Sequence, residues 1–424
     1  MGLDCGLVLR VADKRSKTRD TASFCGETSM KQFPLRMSVV AVMAATAVLA
    51  SCGKKDAAPA AGGSAAAAAS GDTVVVKIAS VAPMSGPQAH YGKDNANGVL
   101  LAIEEANKMG IKLGGKAVRF EAVIEDDAAD PKQGTAVAQK LCDAKVAGVS
   151  GHLNSGTTIP ASKIYSDCGI PMVTGAASNP ALTKPGYKTT FRIIANDNTL
   201  GVALADKAKA QGVKRVAVID DRTAYGQGLA DVFAEAAKKN GIEIVERQYT
   251  TDKATDFMAI LTAVKGKTPD GVFYGGMDAQ LGPLMRQMAQ LGLNDQKVYG
   301  GDGVCTSELA KLAEGAKPLG NVICAVGGAA LEKMEGGPEW RKRYDAKFAG
   351  QFQVYSPYTY DSTMVLIEAM KQANSADPAA YLPKLAAINY KGVTGTIKFD
   401  EKGEVLNPAS TLFTFKDGKR VIAE

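Results

Sequence analysis

The 424-residue sequence is poor in the residues that most enzyme chemistry uses. It holds two histidines, His90 and His152, one tryptophan and 6% aromatic residues. There is no Gly-x-Ser-x-Gly nucleophile elbow, no His-Glu-x-x-His zinc helix and no phosphate-binding P-loop. Gly226-Gln227-Gly228 continues into Leu229-Ala230-Asp231, so the third glycine of a dinucleotide fingerprint is missing. Long apolar runs are also absent. The stretch from Val39 to Ala50 fits a signal-peptide core and is too short to span a bilayer. Charge of one sign is lacking as well: the formal +6 falls to 43 Lys/Arg against 40 Asp/Glu once residues 1–51 are set aside. A body so nearly balanced carries no electrostatic footprint for nucleic acid.

What is present begins with Leu49-Ala50-Ser51-Cys52 closing that apolar run, the pattern of a bacterial lipoprotein signal with Cys52 as the lipid acceptor. The competing reading is a short buried helix whose cysteine is incidental. Lys31 and Arg36 precede the core, so Met30 and Met37 are candidate starts beside Met1. Residues 1–51 are then leader and signal. Residues 52–72, dominated by Gly, Ala, Ser, Lys and Pro, bury too little to fold and form a tether. The remainder is long enough for two domains, each with its own core.

Four cysteines remain in the exported body: Cys142, Cys168, Cys305 and Cys324. They allow three connectivities, of which the local pairs Cys142–Cys168 and Cys305–Cys324 are expected. A zinc site is the rival, but no CxxC spacing supports it, and neither a metal nor a cofactor is expected.

Strands and helices alternate along the body. Val74 to Ala79, Ala117 to Ile124 and Val146 to Ser150 read as strands, with helices near Gly92 to Lys108 and Pro131 to Ala144 between them. The pattern restarts at Arg215 to Asp220, with a helix from Gly228 to Asn240 and a strand from Ile242 to Glu246. A helix over 281–291 carries a Met-bearing stripe that reads as core. Each half places Tyr-Gly at its first helix, Tyr91-Gly92 and Tyr225-Gly226. This predicts an α/β fold of two doubly wound lobes with a cleft where strand ends and helix N-termini meet.

Asp126-Asp127 and Asp220-Asp221 follow strands and read as solvated loops or helix caps, and the two histidines as ordinary loop residues. Two Ser/Thr-rich segments, Gly151 to Thr158 and Thr174 to Pro180, each follow a strand and are expected to open a helix. Backbone N–H groups and hydroxyls there suit a carboxylate. Asp302, after the strand Lys297–Gly300, could face an ammonium group.

At these residues the chain resembles the periplasmic leucine/isoleucine/valine-binding proteins of branched-chain amino-acid ABC transporters. The likeness runs from about Val74 to about Phe415. It is carried by Met84-Ser85-Gly86-Pro87 with Tyr91-Gly92, Asp126 to Gln133, Gly151-His152-Leu153, Tyr225 to Ala230, Tyr274-Gly275-Gly276 and Phe399 to Gly403. The resemblance implies a type I binding-protein fold with three interlobe crossovers. Lobe 1 would comprise 73–194 and 328–405, and lobe 2 would comprise 195–327 and 406–424. It implies that Ser155 and Ser178 hold an α-carboxylate, that the Ala176 carbonyl and Asp302 take the α-ammonium, and that Tyr91, Tyr225 and Met277 line the side-chain pocket. Asp302 stands where the family typically has Glu, Ser178 replaces a Thr, and Met277 replaces a pocket aromatic. Asn154 and Ala129 occupy the relatives' disulfide positions.

The expectation is therefore a periplasmic, lipid-anchored, monomeric protein without enzyme activity. It would bind a free amino acid, branched-chain by default, and pass it to inner-membrane permease subunits. Another amino acid or small amide, a ligand sensor for a signalling receptor, and a doubly wound enzyme are the alternatives.

Overall fold

The computed structural model describes residues 73–316 and 319–423. The signal, the tether and Cys52 lie outside the described residues.

The first sheet is built from β1 (Val74–Ala82), β2 (Lys112–Leu113), β3 (Lys116–Asp126), β4 (Gly148–Gly151), β5 (Met172–Thr174) and β6 (Thr190–Arg192). Helices α1 (Ala89–Lys108), α2 (Pro131–Asp143) and α3 (Ser155–Cys168) connect them. The order is β2-β3-β1-β4-β5-β6, parallel except at β2. β1 is a near-continuous apolar run because helices cover both faces of such a sheet. α2 begins where Asp130 caps it, accepting the Gln133 N–H at 2.9 Å ahead of Pro131.

After β6 the chain crosses to α4 (Asp197–Ala210) and a second sheet. This sheet uses β7 (Arg215–Asp220), α5 (Ala224–Lys239), β8 (Glu243–Tyr249), α6 (Met258–Gly266), β9 (Gly271–Gly275), α7 (Asp278–Gln290), β10 (Lys297–Gly300), α8 (Leu309–Leu312) and β11 (Val322–Gly327). A second crossing returns to α9 (Gly337–Phe348), α10 (Ser356–Ala373), α11 (Pro378–Ala386) and the small hairpin β12 (Tyr390–Lys391) with β13 (Thr396–Ile397). α10 packs on α1 and β4 of the first lobe. A third crossing leads to β14 (Ser410–Lys416) and β15 (Lys419–Ile422), antiparallel at the edge of β15-β14-β11-β10-β9-β7-β8. The fold is the expected α/β pair of doubly wound lobes with three crossovers.

Both local disulfides form: Cys142–Cys168 joins α2 to α3, and Cys305–Cys324 joins the turn after β10 to β11. The Met-bearing stripe of α7 is core, with Leu281, Leu284, Met285 and Met288 all buried.

Three readings need correction. The segment after β5 opens no α-helix; it makes a turn ending in a short 3₁₀ segment, Pro180–Leu182. The Thr174 hydroxyl accepts the N–H groups of Ala176 and Ala177, which ends the chain's need for a helix there. Three of the four paired aspartates are not solvated: Asp127, Asp220 and Asp221 are buried, and only Asp126 stays half-buried. They cap their own turns, and Asp220 also pairs with Arg247. Nor are the histidines ordinary loop residues. His152 is fully buried between Asp127 and Tyr165, and His90 opens α1 and reaches Asp278 of the other lobe.

Candidate functional site

The Tyr-Gly repeat explains how two helices deliver tyrosines to one place. A Cβ on Gly92 would lie 2.0 Å from the Pro83 carbonyl oxygen, and one on Gly226 would lie 2.4 Å from that of Gly275. Only glycine lets each helix start so close to the loop leaving its sheet. The preceding tyrosine therefore points between the lobes. Tyr91 donates to the Gly303 carbonyl at 2.6 Å, across the lobe boundary. Tyr225 donates to Asp302 Oδ1 at 2.8 Å and accepts the Gly303 N–H at 3.0 Å.

All seven residues expected to bind ligand are buried here: Tyr91, Ser155, Ala176, Ser178, Tyr225, Met277 and Asp302. The first lobe supplies Tyr91 from α1, Ser155 from the first turn of α3, and Ala176 and Ser178 from the turn after β5. The second supplies Tyr225 from α5, Met277 from the residue before α7, and Asp302 from the turn after β10. Ser155 Oγ accepts the Asn179 N–H at 3.1 Å, which ties the two serine-bearing segments together. Gly303 packs against Met277 and Tyr225 so closely that a Cβ would sit 2.7 Å from Met277 Sδ. Beside this contact lies a cavity of about 440 Å³, whose lining includes Gln88, Asn154, Gly156, Arg222, Tyr225 and Met277. The other five expected residues do not line it.

Several polar atoms in this region make no hydrogen bond of good geometry to a described residue, including Ser178 Oγ, Asp302 Oδ2, both oxygens of Asp197 and Asp278 Oδ1; the Ser178 hydroxyl lies beside the Asp197 carboxyl, and the Tyr355 hydroxyl beside that of Asp302. Burial pushes the Asp302 carboxyl up to about 6, against the opposing pull of the Tyr225 hydroxyl. A buried carboxylate with a bare oxygen is costly, and a bound donor removes that cost.

Sequence reasoning missed four members of this neighbourhood. Asp197 opens α4 at the first crossing, where Asn196-Asp197-Asn198 reads only as a helix start. Tyr355, just before α10, is buried against Tyr91 with ring centroids 6.0 Å apart. Asp278 accepts from Thr306 and pairs with His90 at 2.9 Å. Arg192 is fully buried beside Glu404 and donates to the carbonyls of Ala177 at 3.0 Å and Asn179 at 2.8 Å. It thereby clamps the turn that carries Ala176 and Ser178. Nothing in the spacing of Arg192 and Glu404, far apart in sequence, could have joined them.

Known proteins with this arrangement are readily found. A leucine-, isoleucine-, valine-, threonine- and alanine-binding protein of Pseudomonas aeruginosa is 34% identical over 347 residues, 81% of this chain and 91% of its own. A Leu/Ile/Val-binding protein homologue of Brucella suis is 33% identical over 341 residues, 79% of this chain and 89% of its own. Among solved structures, a leucine-binding protein of Thermotoga maritima superposes with a TM-score of 0.75 at 26% identity, covering 82% of this chain and 98% of that one. A branched-chain amino-acid transporter substrate-binding protein of Streptococcus pneumoniae, in complex with isoleucine, gives 0.74 at 26% identity and covers 82% and 99%. The profile of the periplasmic binding protein family matches residues 75–420. With two lobes, three crossings and a buried polar site between them, the chain belongs to the periplasmic binding protein family.

Proposed function

We propose that this protein captures a free amino acid between its lobes and presents it to an ABC import permease, without chemical conversion. The observation that carries the reading is a pair of buried groups that reach the interlobe site from opposite lobes without a hydrogen bond of good geometry: Ser178 Oγ, beside Asp197, from the first and Asp302 Oδ2, beside the Tyr355 hydroxyl, from the second. A hydroxyl can donate to a carboxylate, and a carboxylate can accept from an ammonium. The carboxylate end is then held by the first lobe while the ammonium end reaches Asp302 of the second, so the ligand favours the closed arrangement over an open one. Ser155 joins Ser178 at the carboxylate, the Ala176 carbonyl joins Asp302 at the ammonium, and Tyr91, Tyr225 and Met277 surround the side chain.

The branched-chain class is the default ligand, because the relatives named above are leucine-, isoleucine- and valine-binding proteins. Lobe 1 is assigned to 73–194 and 328–405, lobe 2 to 195–327 and 406–424, in a monomer. Lipidation at Cys52 would hold the body on the membrane near the permease. A Cys52→Ser variant released from the membrane fraction would support the anchor, and one that stayed membrane-bound would refute it.

Calorimetry with leucine, isoleucine, valine and the remaining common amino acids tests the main reading. At least one should bind with a Kd in the micromolar range or tighter. Asp302→Ala should weaken that ligand by about 2–5 kcal/mol, because a buried ammonium loses its counter-charge. If no amino acid binds, or the variant binds as the wild type does, the assignment is wrong.

A further inference from the structure

We propose that the protein carries a second ligand site, beside the crossings between its lobes, where Arg341 and Arg420 bind a small organic monocarboxylate. It shares no residue with the interlobe site, and its existence does not depend on what that site holds.

The packing of the crossings leaves a cavity of about 410 Å³. Its walls include Leu331 and Glu332 from the second crossing, Arg341 from α9, and Phe352 from the segment between α9 and α10. Phe413 of β14 and Arg420 of β15 close it from the other side. Each phenyl ring carries one guanidinium. Arg420 lies over Phe413 at 4.8 Å from the ring centroid, and Arg341 over Phe352 at 4.1 Å. A ring face steadies a guanidinium without satisfying its N–H groups, which lie in the plane of the fork and need acceptors at its edge.

Other inward-set arginines of the molecule meet carboxylates. Arg192 is fully buried and pairs with Glu404, and Arg247 pairs with Asp220 and Asp231 at 2.7 and 2.8 Å. Arg420 meets no carboxylate among the described residues, and its hydrogen bond goes to the Cys305 carbonyl at 2.6 Å. Burial pulls its guanidinium below the ordinary value and the Arg341 charge acts the same way, while Asp94, Glu332 and Tyr358 act against them. None of the three neutralises it at contact. Asp94 is enclosed by the Tyr344 hydroxyl and four successive backbone N–H groups, Gln353 to Ser356. Glu332 is exposed and makes no ion pair with either arginine. A partly desolvated cation without a counter-charge costs free energy, and a bound anion offsets that cost.

The chemistry of the walls selects the class of anion. Two guanidinium forks match the two oxygens of a carboxylate, and Leu331, Phe352 and Phe413 offer apolar surface to a flat body attached to it. Glu332 opposes a second negative charge, which favours a monoanion over phosphate or a dicarboxylate. The volume falls within the range of about 300–1,000 Å³ usual for small-molecule sites.

Ligand-observed NMR titration tests the site with benzoate as the probe. Benzamide serves as its neutral counterpart, and inorganic phosphate as an anion without an apolar body. Benzoate should bind saturably to wild type with a Kd of about 1 mM or tighter. Benzamide should bind at least about tenfold more weakly, because it brings no charge to the guanidinium groups. Arg341→Gln and Arg420→Gln should each weaken benzoate by about tenfold, the loss of a hydrogen bond between charged groups. Ser178→Ala alters only the interlobe site and should leave benzoate within about twofold of wild type. Absence of saturable binding, equal binding of benzamide, or arginine variants that bind as wild type does would each overturn the proposal. So would a loss in Ser178→Ala with none in the arginine variants, which would put the probe between the lobes. Phosphate that displaces benzoate at equal concentration would overturn the assignment to an organic monoanion. Arg341 bonds only to Asp345 one turn along α9, an exposed pair that adds little to stability. Its variant should therefore melt as wild type does, and it decides the question alone if Arg420→Gln fails to fold.

Discussion

A single deeply buried carboxylate leaves a mark on stability. Burial, and after it the Asp302 charge, push the Asp197 carboxyl up to about 8 in the folded protein, against about 3.9 in an unfolded chain. Between those values the folded state binds a proton that the unfolded state does not, so stability falls as pH rises through the window. An asparagine there has no such dependence. Ligand-free Asp197→Asn should therefore melt above wild type, with the gap widening from pH 5 to pH 8, as thermal unfolding at both values would show. A constant or shrinking gap would contradict the assigned shift. Burial of this kind also explains what could be read from sequence. Asp302, Ser155 and Ser178 stand directly after strands, where ligands meet open α/β sheets, and each could be singled out by that placement. Asp197 begins a helix, where an aspartate ordinarily favours the helix dipole, so its complete burial could only emerge once the chain was folded.

At the scale of elements, periodicity located most strands and helices, because parallel strands covered on both faces read as continuous apolar runs. It failed at Thr174 to Pro180, where a hydroxyl capping its own turn imitates a helix start. The two disulfides allow elements that position the site to be told apart from elements that only stabilise it. Both close loops of similar size, 26 and 19 residues apart in sequence. Each should contribute about 3 kcal/mol by restricting the unfolded chain. Cys142–Cys168 joins α2 to α3 by the helix ends remote from Ser155, so replacing both cysteines by serine should lower the unfolding free energy and leave ligand affinity unchanged. Cys305 belongs to the turn of Asp302, its N–H donating to the Asp302 carbonyl at 3.0 Å. The Cys305→Ser/Cys324→Ser pair should cost similar stability and also weaken ligand binding severalfold. Denaturant melts and calorimetry on the two double variants check both statements, and equal effects on affinity would refute the distinction.

For the whole molecule, the direct hydrogen bonds between the lobes are few among the described residues. Tyr91 donates to the Gly303 carbonyl, His90 pairs with Asp278, Asn179 donates to the Ala224 carbonyl, and Ser307 donates to Gln353. A handful of such bonds is worth a few kcal/mol at most, since each replaces bonds to water. The lobes can therefore part without a ligand, and a ligand that touches both shifts the balance toward closure. Tyr91→Phe keeps the buried ring and deletes one of these contacts, leaving the Gly303 carbonyl to be met by water in the open state. The closed state should lose about 1–1.5 kcal/mol, a Kd increase of roughly five- to twelvefold. Because the lost bond exists only after closure, the change should fall on ligand dissociation and spare association. Stopped-flow kinetics separates the two rates, and small-angle scattering reports whether saturating ligand still brings the lobes together. A slower association with unchanged dissociation would mean that Tyr91 guides the ligand in, and that the bond to Gly303 does not hold the lobes closed.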